Sequence, residues 1–351
     1  MDSYEKFMKK LDSLPIKSPR TQSNVEIEIL KRLMTPEEAE LGSHLSGIPE
    51  PAVVIAERAG MDAADLKVVL DAMVGKGAIF KVYTEEPLYC LVAMIPGIYE
   101  FQVGRLSVED VKLWERYYDE KAGKVLFSHE TPILRVLPVN QSITPEMTVY
   151  QYEEVEKLID KAVVITLADC ICRTNKKLIG EGCDAPVKDT CIYLDAWGDY
   201  FAENKFGRRA TKEEAKAVLA RSREAGLVLN ALNVQDGSFF ICSCCGCCCA
   251  GLRGINELEL PTAVAKSNYL AVISSDDCTG CGACVESCHV HALALVDDVA
   301  VLKQERCIGC GVCVGACNFD AISMKRKDEI EQPPANAEDL MVKRVMGSPK
   351  E

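Results

Sequence analysis

Cys278-Thr-Gly-Cys281-Gly-Ala-Cys284-Val-Glu-Ser-Cys288 is followed, 29 residues on, by Cys307-Ile-Gly-Cys310-Gly-Val-Cys313-Val-Gly-Ala-Cys317. The two runs share the spacing Cys-x2-Cys-x2-Cys-x3-Cys, and the likeness extends to Ala292 and Ala321. Two copies of one short unit imply a pseudo-twofold domain, placed at residues 268–326. Each run carries four thiols, whereas zinc sites usually come as paired Cys-x2-Cys halves. Gly280, Gly282, Gly309 and Gly311 stand where the backbone must turn tightly and can bring amide N–H groups up to the sulfurs.

Nineteen cysteines in 351 residues are too many for an ordinary core and wrongly placed for a disulfide scaffold, because such scaffolds are short and loop-rich. Apart from Cys90, which sits alone in a β-prone run and reads as core, all lie between Cys170 and Cys317 in tight groups whose neighbours cannot easily pair as disulfides. Clustered thiols then argue for metal. The net charge of −13 speaks against nonspecific attraction to nucleic acid or an anionic membrane. Residues 1–160 sum to −9, residues 161–260 to zero (13 cations against 13 anions) and residues 261–351 to −4, so the cysteine-rich middle is the least acidic part. No apolar run is long enough for a membrane span and the charged start lacks a signal-peptide core, so the expected location is cytoplasmic.

The eight-cysteine repeat resembles the bacterial two-cluster ferredoxins, in which three close cysteines wrap one [4Fe–4S] cluster and the fourth reaches across to the other. The resemblance assigns Cys278, Cys281, Cys284 and Cys317 to one cluster, and Cys307, Cys310, Cys313 and Cys288 to the second. It implies a one-electron relay with no open coordination site. This chain departs from the family where proline normally follows the fourth cysteine: His289 and Asn318 stand there. With four thiolates already in each set, His289 and His291 are expected at the surface or beside the ligands, altering backbone stiffness and hydrogen bonding.

Ten further thiols precede the repeat: Cys170, Cys172, Cys183 and Cys191, then Cys242, Cys244, Cys245, Cys247, Cys248 and Cys249. Residues two apart on a strand face one side, so Cys170 with Cys172, and Cys242 with Cys244, are expected to form two-thiolate jaws. Cys183, Cys191 and members of the 245–249 run would hold another site. One or two further [4Fe–4S] clusters are expected in residues 161–267; zinc, a noncubane cluster or a redox-active thiol site remain open alternatives. Cys-Cys-Gly at 244–246 is similar to part of the noncubane-cluster motif of heterodisulfide reductase catalytic subunits. Of the arginines in this region, Arg173, Arg208, Arg209 and Arg253 could offset cluster charge or dock a carrier, while Arg221 and Arg223 read as a solvated helix face. Tyr193 and Trp197 read as packing.

The overall reading is α+β and multidomain. After a polar N-terminal arm, residues 25–104 run helix, helix, helix and hairpin, an order that resembles a winged-helix domain; 1–104 is taken as that unit. Residues 105–160 read as a helical connection punctuated by Pro132, Pro138 and Pro145. In 161–267, strand-like KAVVITLADCICRT leads to a helix at TKEEAKAVLARSREAG, with a Thr211–Glu214 capping box and a Gly226 stop, then a hairpin about Asp236-Gly237. Residues 327–351 read as an extended tail.

Functionally, these features point to an electron-transfer subunit or adaptor of an anaerobic oxidoreductase complex, in preference to a stand-alone enzyme. No P-loop or G-x-G-x-x-G loop is present, so electrons would come from a redox protein partner, a flavoprotein or another iron–sulfur subunit. An iron–sulfur transcription regulator is the rival from another class. Its reading helix would be DAADLKVVLDAMVGKG, where Asp62, Asp65 and Asp71 face only Lys67 and Lys76, so protein docking is preferred. A reductase with its reaction centre in the cysteine-rich middle is the third reading.

Overall fold

The computed structural model describes residues 2–139 and 153–347. Helices and strands are mixed throughout, in keeping with the α+β reading. The three expected N-terminal helices form at Val25–Leu33, Ala52–Ala59 and Ala63–Lys76. Strands β1 (Glu50–Pro51), β2 (Phe80–Val82) and β3 (Leu88–Cys90) pair antiparallel in the order β1-β3-β2. The polar-arm expectation is corrected at its start: Ser3–Asp12 is a helix that buries Tyr4, Phe7, Met8 and Leu11, recurring at three- and four-residue spacing between charged residues.

The middle of the chain is built on a six-stranded sheet. Its strands are β4 (Leu134–Leu137), β5 (Ile165–Ala168), β6 (Cys191–Leu194), β7 (Arg208–Arg209), β8 (Val228–Leu232) and β9 (Phe240–Cys244). They lie in the order β4-β8-β9-β6-β5-β7 with every neighbour antiparallel. The helical connection thus needs correcting. Helices do form at Val108–Tyr117, Gly123–Phe127 and Val155–Lys161, but Leu134–Leu137 joins the sheet as the partner of β8. Pro132 and Pro138 bracket these residues, and a following proline favours extended backbone over helix. Pro145 lies outside the described residues.

Cys170 and Cys172 do not form the expected jaw on a strand. The strand stops at Ala168; Cys170 is the N-cap of a helix, Ile171–Leu178, and Cys172 lies in its first turn. The polar run Arg173–Leu178 has the helix-forming residues that a strand would lack, and its Arg173 and Asn175 are buried. By contrast the β8–β9 hairpin turns at Asp236-Gly237 as read, with Gly237 in the left-handed region at φ +75°. The helix Lys212–Glu224 opens on the Thr211–Glu214 box.

Alternation along the strands divides the sheet into two faces. Ile192, Leu194 and Ile241 join Leu219, Val218 and Ile159 in a core under the Lys212–Glu224 helix. Cys191, Tyr193, Phe240 and Cys244 point the other way, into an apolar core that runs from Tyr4 to Leu340 and includes the N-terminal helices. The C-terminal repeat has a core of its own around Tyr269, Leu293, Ile322 and Met324. There β10 (Tyr269–Ile273) pairs with β13 (Ile322–Arg326), and β11 (Leu293–Val296) with β12 (Val299–Leu302).

The extended-tail reading is also corrected. Residues Ala337–Met346 form a helix capped by the Asn336 side chain, with Leu340 and Arg344 buried. Arg344 Nη1 donates to the Thr131 carbonyl at 2.6 Å, and the Gln235 and Asp236 N–H groups donate to the Pro334 and Ala335 carbonyls, so the segment has a surface to fold on within its own chain.

Candidate metal centres

In the C-terminal repeat, each four-cysteine run starts in a loop, passes through a short helix, Ala283–Glu286 or Val312–Ala316, and places its fourth cysteine just past that helix. Gly280, Gly282, Gly309 and Gly311 all have φ between +69° and +79°, the left-handed conformation that glycine adopts without strain. These loops wrap two cavities of about 20 Å³ each. Cys278, Cys281, Cys284 and Cys317 line one; Cys307, Cys310, Cys313 and Cys288 line the other. The fourth cysteine of each run therefore sits with the opposite loop. Each cavity offers four thiols and no competing carboxylate or imidazole, which fits a [4Fe–4S] cluster. Backbone N–H groups also reach the sulfurs: Ala300 N donates to Cys278 Sγ at 3.4 Å and Ala292 N to Cys288 Sγ at 3.2 Å.

The two cavities differ in depth. Cys281 is exposed, and the Ala300 N–H lowers the Cys278 thiol. Burial instead pushes Cys310 up to about 12 and raises Cys313. The first site faces solvent beside the exposed Phe319 and Leu295; the second faces the rest of the chain, where Val139 N–H donates to the Cys310 carbonyl.

The ten middle thiols divide six and four. Cys170, Cys172, Cys191, Cys242, Cys244 and Cys249 line a single cavity of about 90 Å³ on the N-terminal side of the sheet. Cys242 and Cys244 form the expected jaw on β9, and Cys191 faces Cys242 across the β6–β9 pairing. Cys170 and Cys172 arrive from the helix start and Cys249 from the N-cap of the helix Ala250–Asn256. Two of the six are held well below the usual thiol range: Cys170 by hydrogen bonds from Cys172 and Cys191, and Cys244 by those from Cys242 and Cys249. The Arg173 guanidinium adds to both. Fully buried, it donates to the Ser243 carbonyl at 2.7 Å and Thr190 Oγ1 at 2.6 Å. The remaining lining is mostly apolar (Ile95, Phe127, Tyr193, Trp197, Phe240), with the buried amide of Asn230 and with Glu100, whose carboxyl burial raises to about 7. Glu100 carries no sequence signal; only packing brings it there.

The other four thiols, Cys183, Cys245, Cys247 and Cys248, have Sγ atoms all within 4.8 Å of one another. Cys191, grouped with Cys183 on sequence grounds, belongs instead to the six-thiol cavity. Arg173 Nη1 lies 3.9 Å from Cys245 Sγ and so stands between the two thiol sets. A hydrogen bond from Cys248, with Arg173 assisting against burial, draws the Cys245 thiol down to about 4.

His289 joins this region to the repeat. Gly246 N–H donates to His289 Nδ1 at 3.2 Å, which leaves Nε2 to donate to the Gly226 carbonyl at 2.8 Å. Asn256 Nδ2 donates to both the Gly246 and His289 carbonyls, at 3.1 and 2.9 Å. The residue standing in proline's place thus ties the C-terminal repeat to the Gly246 turn, while His291 is exposed. Arg253, offered as a charge offset, is spent on Glu115 and Glu257 and stacks on Tyr118; Arg208 and Arg209 form exposed ion pairs with Asp189, Glu214, Asp199 and Glu203.

Residues 277–321 match the 4Fe-4S dicluster domain family. No curated protein and no solved structure matches the chain. With eight thiols arranged in two four-thiol cavities inside that match, this is an iron–sulfur electron-transfer protein. Among the described residues, no helix is long and apolar enough to cross a membrane.

Proposed function

We propose that the chain is a relay subunit or adaptor of an oxidoreductase complex, taking electrons at its solvent-facing C-terminal site and delivering them to the six-thiol cavity. The observation that carries this is the continuous run of residues Cys288–His289–Gly246–Cys245–Arg173, which links the deeper four-thiol cavity to the middle thiols through bonded neighbours and short contacts. Bound [4Fe–4S] clusters supply one-electron transfer at near-constant geometry. The chain's own residues seat them, donate N–H groups to the sulfurs, and keep the deeper site dry. Replacing His289 with proline restores the residue usual at that position and deletes both ring hydrogen bonds. The variant should keep the iron of the C-terminal pair, while reduction of the middle site by dithionite slows at least several-fold in stopped-flow experiments. An unchanged rate would remove the relay reading.

A redox protein partner, either a flavoprotein or another iron–sulfur subunit, is the expected donor. The N-terminal unit suits protein docking: its helices expose Val53, Val54 and Val68, with Ile48 and Met61 nearby, while Asp71 is engaged by Lys67 and Lys81. These features, with the −9 charge of residues 1–160, disfavour DNA.

The six-thiol cavity favours a second reading, in which the middle region is itself a reductase centre. It holds two thiols more than one cubane needs and, at about 90 Å³, is larger than either C-terminal cavity. An exogenous isocyanide added to the reduced protein should then shift the EPR signal of the middle site and leave the C-terminal pair unaltered. No shift would leave the relay role alone.

A further inference from the structure

We infer that Cys183, Cys245, Cys247 and Cys248 bind a single tetrahedral metal ion, zinc or iron, and not another iron–sulfur cluster. The distances carry this. Tetrahedral coordination at a metal–sulfur distance of about 2.3 Å sets the sulfurs about 3.8 Å apart. Cys183 and Cys245 are separated by 3.7 Å, Cys183 and Cys248 by 3.9 Å, and Cys247 and Cys248 by 3.7 Å. All four sulfurs fall within 4.8 Å of one another. A cubane places its four thiolates on four different irons and so spreads them further. The C-terminal thiols show that contrast within the same chain: they stand around cavities, and among the described residues no other set of three or more ligand side chains converges as the tetrad does.

The surroundings match a tetrathiolate. Four thiolates around a divalent ion leave two negative charges, and Arg173 brings its cation against Cys245, held there by Nη1 on the Ser243 carbonyl and Nη2 on Thr190. Cys247 is exposed, which gives an entry path, while Cys245 and Cys248 are buried under Leu227. Sulfur-only tetrahedral donors select zinc or iron over the harder cations.

Placement assigns the ion a task. Cys183 lies in the loop between the helix Ile171–Leu178 and β6, and the other three ligands follow directly on β9. Between them Gly246 is gripped by His289 and Asn256, and a Cβ there would run into the His289 carbonyl. One ion would therefore fasten the loop, the end of the central sheet and, through His289, the C-terminal domain at a single point. As iron it would add a one-electron Fe³⁺/Fe²⁺ step beside the relay; as zinc it would be a redox-silent staple.

The test uses the full chain, purified anaerobically, as wild type, Cys183→Ser and Cys247→Ser, with metals and acid-labile sulfide counted per chain. Each variant should lose one zinc or one iron with sulfide unchanged; the zinc arm is read by elemental analysis, the iron arm also by loss of thiolate-to-iron bands in the visible spectrum. Loss of iron and sulfide together in equal number, or no loss of metal, would overturn the inference. Should the variants fail to fold, X-ray absorption on the wild type decides. At the zinc edge the single-ion site gives four sulfurs at about 2.3 Å; if the protein carries no zinc, iron in excess of acid-labile sulfide by one per chain gives the same answer. A zinc site with nitrogen or oxygen donors, or a zinc-free protein whose iron is matched one for one by sulfide, would reject it.

Discussion

The glycines of the C-terminal loops are not equivalent. Gly282 has φ +79°, and a Cβ there meets only Leu295 Cδ1 at 3.6 Å. Gly309 has φ +70°, and its Cβ would strike the Tyr269 carbonyl and Ser267 Oγ. Gly282→Ala should cost the left-handed strain alone, about 1–2 kcal/mol. Gly309→Ala must in addition displace backbone, so it should lower the thermal midpoint further and deplete iron from the deeper site. Equal losses would show that strain, not space, governs both positions. Arg173 is the second residue whose environment sets a definite expectation. Arg173→Met leaves buried thiolates and the Ser243 carbonyl without their cation, and should destabilise the protein by about 3–5 kcal/mol in chemical denaturation. Arg173→Lys keeps the charge but cannot span Ser243, Thr190 and Cys245 together, so its effect should fall between.

Among the elements, the C-terminal helix Ala337–Met346 has a pH-dependent hold. Thr131 N–H donates to His129 Nδ1 at 3.0 Å, so the ring's other nitrogen donates to the Arg344 carbonyl, also at 3.0 Å. The Thr131 bond needs a neutral ring, because a protonated Nδ1 can no longer accept. Burial, and then the nearby Arg344 guanidinium, lower the His129 pKa below its usual 6.5. A depressed pKa means that the unfolded chain takes the proton first as pH falls. The stabilisation is therefore complete above about pH 6.5 and is lost on acidification through the lower folded-state value. The hydrogen-exchange protection of residues 337–346, taken relative to the intrinsic rate at each pH, should fall between pH 7 and pH 5, and His129→Gln should remove that dependence. A helix whose protection is flat with pH in the wild type would show that Leu340 alone holds it.

For the molecule as a whole, the shared core decides what can be separated. Tyr200 donates to the Val74 and Ile79 carbonyls, and Phe80 and Phe101 pack on Trp197 and Tyr200. Tyr99 accepts from Asn175 on the helix that carries Cys172. Removing residues 1–104 should therefore uncover the wall of the six-thiol cavity and lose its metal. The C-terminal pair, with its own core, should still hold about eight irons. Iron counts on the truncated and full chains check this; full retention in the truncation would show the N-terminal unit to be an independent appendage.

What the sequence determined by itself was local. The repeat spacing, the four glycines, the Thr211 capping box and the Asp236-Gly237 hairpin are each set by residues within a few positions of one another, and each could be read directly. The Ser3–Asp12 stripe and the β4 strand were also local, but charged neighbours in the first and a short helical context in the second obscured them. Only the tertiary structure decided how ten thiols divide six and four. That division depends on β6 pairing with β9, on a helix beginning at Cys170, and on His289 closing over Gly246. Those contacts join residues tens of positions apart, and spacing along the chain carries no record of which distant neighbour a side chain will meet once the sheet has formed.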